Sequence, residues 1–94
     1  MRTIIIDGRR CRTKEQAHEY IARKFQAFDY YGKNLDALFD VLTSIGEHIQ
    51  IKARYFSTVD YRTGILHVLE DAAKVNENIT LVKQSSVIDY SKSY

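Results

Sequence analysis

The chain has no proline and only four glycines among its 94 residues. Its turns therefore depend on those glycines and on asparagine and aspartate, which tolerate the backbone angles that turns require. A single cysteine, Cys11, excludes a disulfide within the chain. Without a second cysteine or a nearby histidine pair it offers no zinc pattern, and we expect it to be a small, semi-buried residue.

Long apolar runs are also scarce. Near the start, only the three isoleucines Ile4–Ile6 precede Asp7, which is far too short for a secretion signal or a membrane span. We therefore expect a cytoplasmic protein. Hydrophobic residues make up 45% of the chain and charged residues 28%, which is typical of a globular domain with one modest core.

The net charge of +2 hides an uneven distribution of charge. Between Gly8 and Phe25 basic residues dominate, and between Gln26 and His48 acidic residues dominate. The basic residues are Arg9, Arg10, Arg12, Lys14, Arg23 and Lys24, and the acidic ones are Asp29, Asp36, Asp40 and Glu47.

Hydrophobic patterning predicts alternating strands and helices. Thr13 and Gln16 form the pattern of a capping box, Gly32 suggests a turn, and Asn34 is a good N-cap for a second helix ending near Ile45 and Gly46. The predicted elements are buried strands at 3–7 and 79–82, a one-sided strand at 48–55, a helical turn at 57–61 and a third helix at 63–75, which Asn76 and Asn78 would end as left-handed residues.

This order predicts an α/β fold, namely a single small domain whose three-stranded parallel sheet is covered by helices. The domain would occupy residues 1–83, and residues 84–94 would form a polar C-terminal tail.

Two aspartates of the second helix need an explanation. Asp36 and Asp40 fall on one outward flank together with Thr43, and no Lys or Arg stands three or four residues from Asp40. Such a like-charge pair costs a helix about 0.2–0.5 kcal/mol. Either these are ordinary surface residues, or the acid is kept for a basic partner. The adjacent Tyr30 and Tyr31 favour the second reading, since exposed tyrosine beside acid is typical of interfaces.

The stretch "YYGKNLDALFDVLT", residues 30–43, resembles the signature of the barstar family, inhibitors that bacteria make against their own secreted ribonucleases. The element order also resembles that family from Thr3 to Val82. The resemblance implies that the second helix and the turn before it block a nuclease active site, with Asp40 as the main anchor in the place of a substrate phosphate. It also implies partner contacts by Tyr30, Tyr31, Gly32, Asn34, Leu35, Asp36, Thr43 and Asp71.

The sequence departs from the family pattern at several positions in and around these contacts. Asp71 is shorter than the acid often found there, Val75 replaces an acid one turn later, and Lys33 replaces an acid beside the asparagine. Ile45 and Phe39 stand where tryptophan is often found. The chain is also much less acidic than the best-known members, which implies slower electrostatic association.

The resemblance implies a monomer that forms a one-to-one complex with a basic extracellular ribonuclease of the barnase type. Two alternatives remain open. The loop "GRRCRTK", residues 8–14, could grip nucleic-acid phosphates or another protein, although no known nucleic-acid module surrounds it. Asp36 and Asp40 could instead serve catalysis or metal binding with His18, His48 or His67, although no spacing brings these together. The sequence predicts no enzyme, no cofactor and no metal, and His67 is expected to be a plain surface residue.

Overall fold

The computed structural model describes residues 1–26, 32–57 and 60–84. Within these ranges it contains three strands, three α-helices and a short 3₁₀ turn at Gly8–Arg10. The strands are β1 (Arg2–Asp7), β2 (Ile49–Arg54) and β3 (Ile79–Gln84), and the helices are α1 (Lys14–Phe25), α2 (Leu35–Thr43) and α3 (Arg62–Val75).

The described strands form one parallel sheet in the order β1-β2-β3. Ile4 lies opposite Ile51, which lies opposite Leu81, so one face of the sheet is a continuous aliphatic layer. Because the strands follow one another across the sheet, crossovers of the same hand bring their helices to the same face. The predicted α/β class and parallel three-stranded sheet are therefore confirmed.

The prediction that the first and last strands are buried was wrong for one of their two faces. Ile5 is 36% exposed, while Ile4 and Ile6 on either side of it are buried, and Thr80 in β3 is also exposed. Helices cover the sheet on one face, so alternate side chains of each strand point to solvent. Runs of β-branched residues suit both situations and do not distinguish them.

The core lies between the covered face of the sheet and the helices. α1 begins at Thr13, whose hydroxyl accepts the backbone N–H of Gln16 at 3.2 Å, as the capping pattern predicts. The helical repeat of the sequence would add Phe28 to the apolar side of α1, but this residue lies outside the described residues. The side chains that fill the core are Ile4, Ile6, Ala17, Ile21, Leu38, Leu42, Ile49, Ile51, Ile65, Leu69, Ala72 and Ile79.

Several predicted helix ends were wrong in detail. Asn76, which ends α3, is extended (φ −106°, ψ 106°) and not left-handed, and Asn78 has no positive φ either. The predicted turn before α2 contains a left-handed residue, Lys33 (φ 56°). α2 also ends earlier than expected, at Thr43. Asparagine can end a helix through its side chain as well as through its backbone, and the sequence does not reveal which it uses.

The region predicted as a helical turn at 57–61 is only partly described, because residues 58 and 59 lie outside the described ranges. Asp60 is left-handed (φ 64°), and its carboxylate accepts the backbone N–H of Arg62 at 3.0 Å. This contact starts α3 one residue before the predicted position.

Candidate functional site

Helix α2 is anchored to the core by its inner face. Leu38 and Leu42 are fully buried and Val41 is 9% exposed. At the start of the helix Leu35 packs so tightly on Gly64 of α3 that a Cβ on Gly64 would come within 2.9 Å of Leu35 Cδ1. Each fully buried aliphatic side chain stabilises the fold by about 1.5–3 kcal/mol, so α2 forms a firm support for its outer face.

The turn that leads into α2 is organised by Asn34. Its side-chain oxygen accepts the backbone N–H of Ala37 at 2.7 Å, and its amide group donates to the carbonyl of Gly32 at 3.3 Å. Asn34 is thus the N-cap that the sequence predicts. Tyr30 and Tyr31, the predicted contacts just before this turn, lie outside the described residues.

Asp36 and Asp40 are both exposed on α2, one helical turn apart. In the part of the chain that the structure describes, neither carboxylate takes part in an ion pair or accepts a side-chain hydrogen bond. Asp36 gains from the positive N-terminus of the helix, whereas Asp40 lies in the last turn, where the dipole disfavours an anion. No basic residue stands in that turn. The acid at Asp40 is therefore uncompensated among the described residues.

The backbone carbonyl groups at the C-terminal end of α2 accept hydrogen bonds from neutral side chains. The hydroxyl of Thr43 donates to the carbonyl of Phe39 at 2.9 Å, and that of Ser44 donates to the carbonyl of Asp40 at 2.7 Å. From α3, the side-chain amide of Asn76 donates to the carbonyls of Leu42 and Ile45 at 3.0 and 2.9 Å. Asn78 donates to the same Ile45 carbonyl at 3.1 Å.

Sequence reasoning missed this role of the two asparagines. It treated them only as residues that end α3, because their hydrogen-bond partners lie more than thirty positions away in the sequence. An asparagine between two apolar segments signals only that hydrogen-bond partners are needed if it is buried, and it does not identify those partners.

Asp71 lies exposed on α3, the helix that packs alongside α2. One turn further on, Val75 is 67% exposed, so an apolar side chain lies at the surface near the end of the same helix. On α2 itself, a groove borders Asp40 and is lined by Ala37, Val41 and Ser44. The outer surface of α2 and α3 thus combines acid with small and apolar groups.

A second charged surface, here called the basic edge, lies where the chain leaves β1. Arg9 makes a two-pronged contact with Asp7, at 2.9 Å from Nη2 to Oδ2 and 3.1 Å from Nε to Oδ1, and its guanidinium lies 4.0 Å from the ring centre of Tyr55. Arg10 lies 5.1 Å above the ring of Tyr20. The arginine hydrogen bonds hold the pKa of Asp7 below its ordinary value. The basic edge consists of Arg9, Arg10, Arg12 and Lys14.

The three histidines considered for catalysis lie outside α2, the helix that carries the two aspartates. His18 is fully buried in α1, where its Nε2 lies 2.6 Å from the hydroxyl of Tyr61, and burial lowers the pKa of its ring. His48 and His67 are exposed. In the described ranges, no group of three or more His, Cys, Asp or Glu side chains could hold a metal ion.

Cys11 is completely buried, deeper than the semi-buried position expected from the sequence. Its thiol lies 3.6 Å from the carbonyl oxygen of Asp7, and burial raises the pKa of the thiol to about 12. Because the thiolate is the reactive form of cysteine, this side chain is inert at neutral pH.

No helix in the described parts of the chain is long and apolar enough to cross a membrane. The family model described as Barstar (barnase inhibitor) matches residues 1–84. Among curated proteins, the chain is 38% identical over 78 residues to "Putative ribonuclease inhibitor YrdF" of Bacillus subtilis (strain 168), a match that covers 77% of this chain and 86% of that protein.

Proposed function

The chain belongs to the barstar family, and from this premise we propose that it inhibits a secreted microbial ribonuclease by covering the nuclease active site with the outer face of α2. The observation that carries the proposal is the exposure of Asp36 and Asp40 on a firmly packed helix, with no basic partner among the described residues. A ribonuclease active site supplies the missing cations, because it binds RNA phosphates.

In the proposed complex a carboxylate of α2 takes the place of an RNA phosphate. Asp40 accepts hydrogen bonds from the arginine and histidine side chains that normally hold that phosphate, and Asp36 meets basic groups at the edge of the site. Charge-assisted hydrogen bonds of this kind are about twice as strong as neutral ones. Water is excluded from the contact, so the central pair has the energy of an interface hot spot.

The groove beside Asp40 would receive a side chain of the nuclease. Its lining by Ala37, Val41 and Ser44 is small and partly apolar, so it suits the aliphatic stem of a basic residue whose charged end reaches Asp40. The remaining contacts are proposed from the family pattern: Tyr30, Tyr31, Gly32, Asn34, Leu35, Thr43 and Asp71.

The structure suggests different tasks for these supporting residues. Leu35 is half-buried against Gly64, so most of its side chain holds α2 in place and little is left to meet a partner. Asn34 fixes the turn before the helix. Asp71 and Val75 lie on α3 and extend the proposed interface to that helix.

The proposed partner is a basic extracellular ribonuclease of the barnase type, bound in a one-to-one complex inside the cell that makes it. A cytoplasmic inhibitor would protect cellular RNA before the nuclease is exported. The protein acts by binding, so we propose no catalytic activity and no cofactor.

The test is a titration of the protein into a barnase-like ribonuclease, in which the rate of RNA cleavage is measured. Wild type is expected to abolish cleavage at equal molar concentration. The Asp40→Ala variant should bind more weakly by at least about 2 kcal/mol, the threshold of a hot spot. Glu15→Gln is a matched control, because it also removes one negative charge but lies on α1.

Unchanged inhibition by Asp40→Ala would refute the acidic mechanism. If wild type inhibits neither this nuclease nor any secreted nuclease of its own host, the inhibitor function itself is wrong. Equal losses in Asp40→Ala and Glu15→Gln would mean that overall charge, and not the face of α2, governs binding.

A further inference from the structure

The structure assigns Asn76 a positioning role for the acidic face of α2: its neutral side chain holds the helix end that carries Asp40 without supplying a charge that would neutralise it. This inference rests on the proposed function. Asn76 is 9% exposed, and its amide group reaches across from the end of α3 to α2. It lies outside the surface proposed to meet the nuclease.

The need for such a residue follows from the end of α2. The last carbonyl groups of a helix have no partner within the helix and carry its partial negative charge. A Lys, Arg or His in the last turn can relieve that charge, but α2 has none there. Asp40 in the same turn adds a full negative charge to the unfavourable end.

Asn76 relieves this end with hydrogen bonds. It donates to the carbonyls of Leu42 and Ile45 at 3.0 and 2.9 Å, and Asn78 donates to Ile45 at 3.1 Å. Asn76 also accepts the backbone N–H of Asn78 through its side-chain oxygen at 3.0 Å, so the two amides form one small network.

The neutral character of these donors matters for the proposed function. A lysine or arginine would satisfy the same carbonyls, but its charge would attract the carboxylate of Asp40 one turn away. An amide donates hydrogen bonds and carries no net charge. The carboxylate of Asp40 therefore stays available for a basic partner while the helix end is secured.

The network is also tied to the sheet. The backbone N–H of Ile79, which begins β3, donates to the carbonyl of Asn76 at 3.0 Å. The backbone N–H of Ile49, which begins β2, donates to the carbonyl of Asn78 at 2.9 Å. Through Asn76 and Asn78, the end of α2 is thus held at a fixed position relative to two strands and α3.

The test compares Asn76→Ala with Ile6→Val in the same nuclease assay. We expect both variants to be less stable than wild type, but Ile6→Val loses only a buried methyl group in β1. At a temperature where both are fully folded, Asn76→Ala is expected to dissociate from the nuclease at least about tenfold faster than wild type, since interface changes act mainly on dissociation. Ile6→Val should dissociate like wild type.

Two further measurements keep the result interpretable. Amide hydrogen exchange at Ser44 and Ile45, whose N–H groups donate to carbonyls of α2 just after the helix ends, should be faster in Asn76→Ala than in Ile6→Val. If Asn76→Ala does not fold, Asn78→Ala removes one of the two donors to Ile45 and should show the same effects in smaller degree.

The inference is overturned if the folded Asn76→Ala variant, or the Asn78→Ala variant in its place, dissociates from the nuclease at the wild-type rate, because a purely structural role lowers stability alone. A wild-type protein that inhibits no nuclease overturns the proposed function instead. The two failures are therefore distinguishable.

Discussion

The acidic face of α2 and the basic edge each carry charge of a single sign, negative on α2 and positive on the edge, and the two surfaces differ in how that charge is paired within the chain. On the basic edge, Arg9 is paired with Asp7 and lies over Tyr55, and Arg10 lies over Tyr20. On α2, Asp36 and Asp40 have no ion-pair partner among the described residues. Part of the positive charge of the basic edge is therefore engaged within the chain, whereas the two carboxylates of α2 form no ion pair among the described residues.

The difference separates charge that serves the fold from charge that is available for binding. Asp7 accepts the backbone N–H of Arg9 as well as its side chain, so this pair shapes the turn after β1. The carboxylates of Asp36 and Asp40 make no comparable contact among the described residues, and their like-charge spacing weakens the helix. A charge that costs stability and has no internal partner is the better candidate for a contact with another molecule.

The largest change in inhibition is expected when α2 receives the basic residue that its last turn lacks. Ser44→Lys places a cation four residues after Asp40, at the negative end of the helix. Relative to Ser44→Gln, a similar-sized neutral control, we expect unfolding free energy to rise by about 0.3–1 kcal/mol. Affinity for the nuclease should fall by about tenfold, or 1.4 kcal/mol, because the lysine competes for Asp40. Equal affinity of the two variants would contradict this account.

A smaller effect, on the pH dependence of stability, is expected when Arg9 loses its ion-pair partner Asp7. Arg9 lowers the pKa of Asp7 in the folded protein, so the pair stabilises the fold above the pKa of the unfolded state, about 3.9. That stability should disappear as the pH falls through the lower folded-state pKa. Asp7→Asn should lack this part of the pH dependence in urea unfolding measured from pH 6 to about pH 2. Identical pH profiles for both proteins would show that the ion pair contributes nothing.

The smallest effect on inhibition is expected from removing the basic edge itself. A triple variant with Arg9, Arg10 and Arg12 changed to Ala should inhibit the nuclease like wild type. The same variant tests the nucleic-acid alternative by RNA binding at low and moderate salt. Salt-sensitive RNA binding by wild type that the triple variant loses would support that alternative. The contacts of Tyr20 and Tyr55 with cations argue against base stacking there.

Much of this architecture could be predicted from local patterns. The periodic apolar residues of α2 and the capping residues Thr13 and Asn34 identify their elements, because helix signals lie within a few positions of one another. The parallel sheet follows from the alternation of strands and helices. The outward flank with Asp36 and Asp40 follows from the helical repeat alone.

The features that could not be predicted depend on contacts between distant segments. Whether Ile5 is covered depends on which face of the sheet receives the helices, and the sequence of β1 does not state this. The partners of Asn76 lie on α2, and its own neighbours give no hint of them. The left-handed conformation of Lys33 likewise depends on how the turn joins α2.

We propose above all that Asp40 is kept for a partner and does not serve the fold. The most direct measurement is equilibrium unfolding of Asp40→Asn beside its inhibition of the nuclease that wild type inhibits. We expect the free energy of unfolding to stay equal or to rise by a few tenths of a kcal/mol, about the cost of the like-charge pair, while inhibition is largely lost. A clearly less stable variant, or one that inhibits as well as wild type, would contradict the claim.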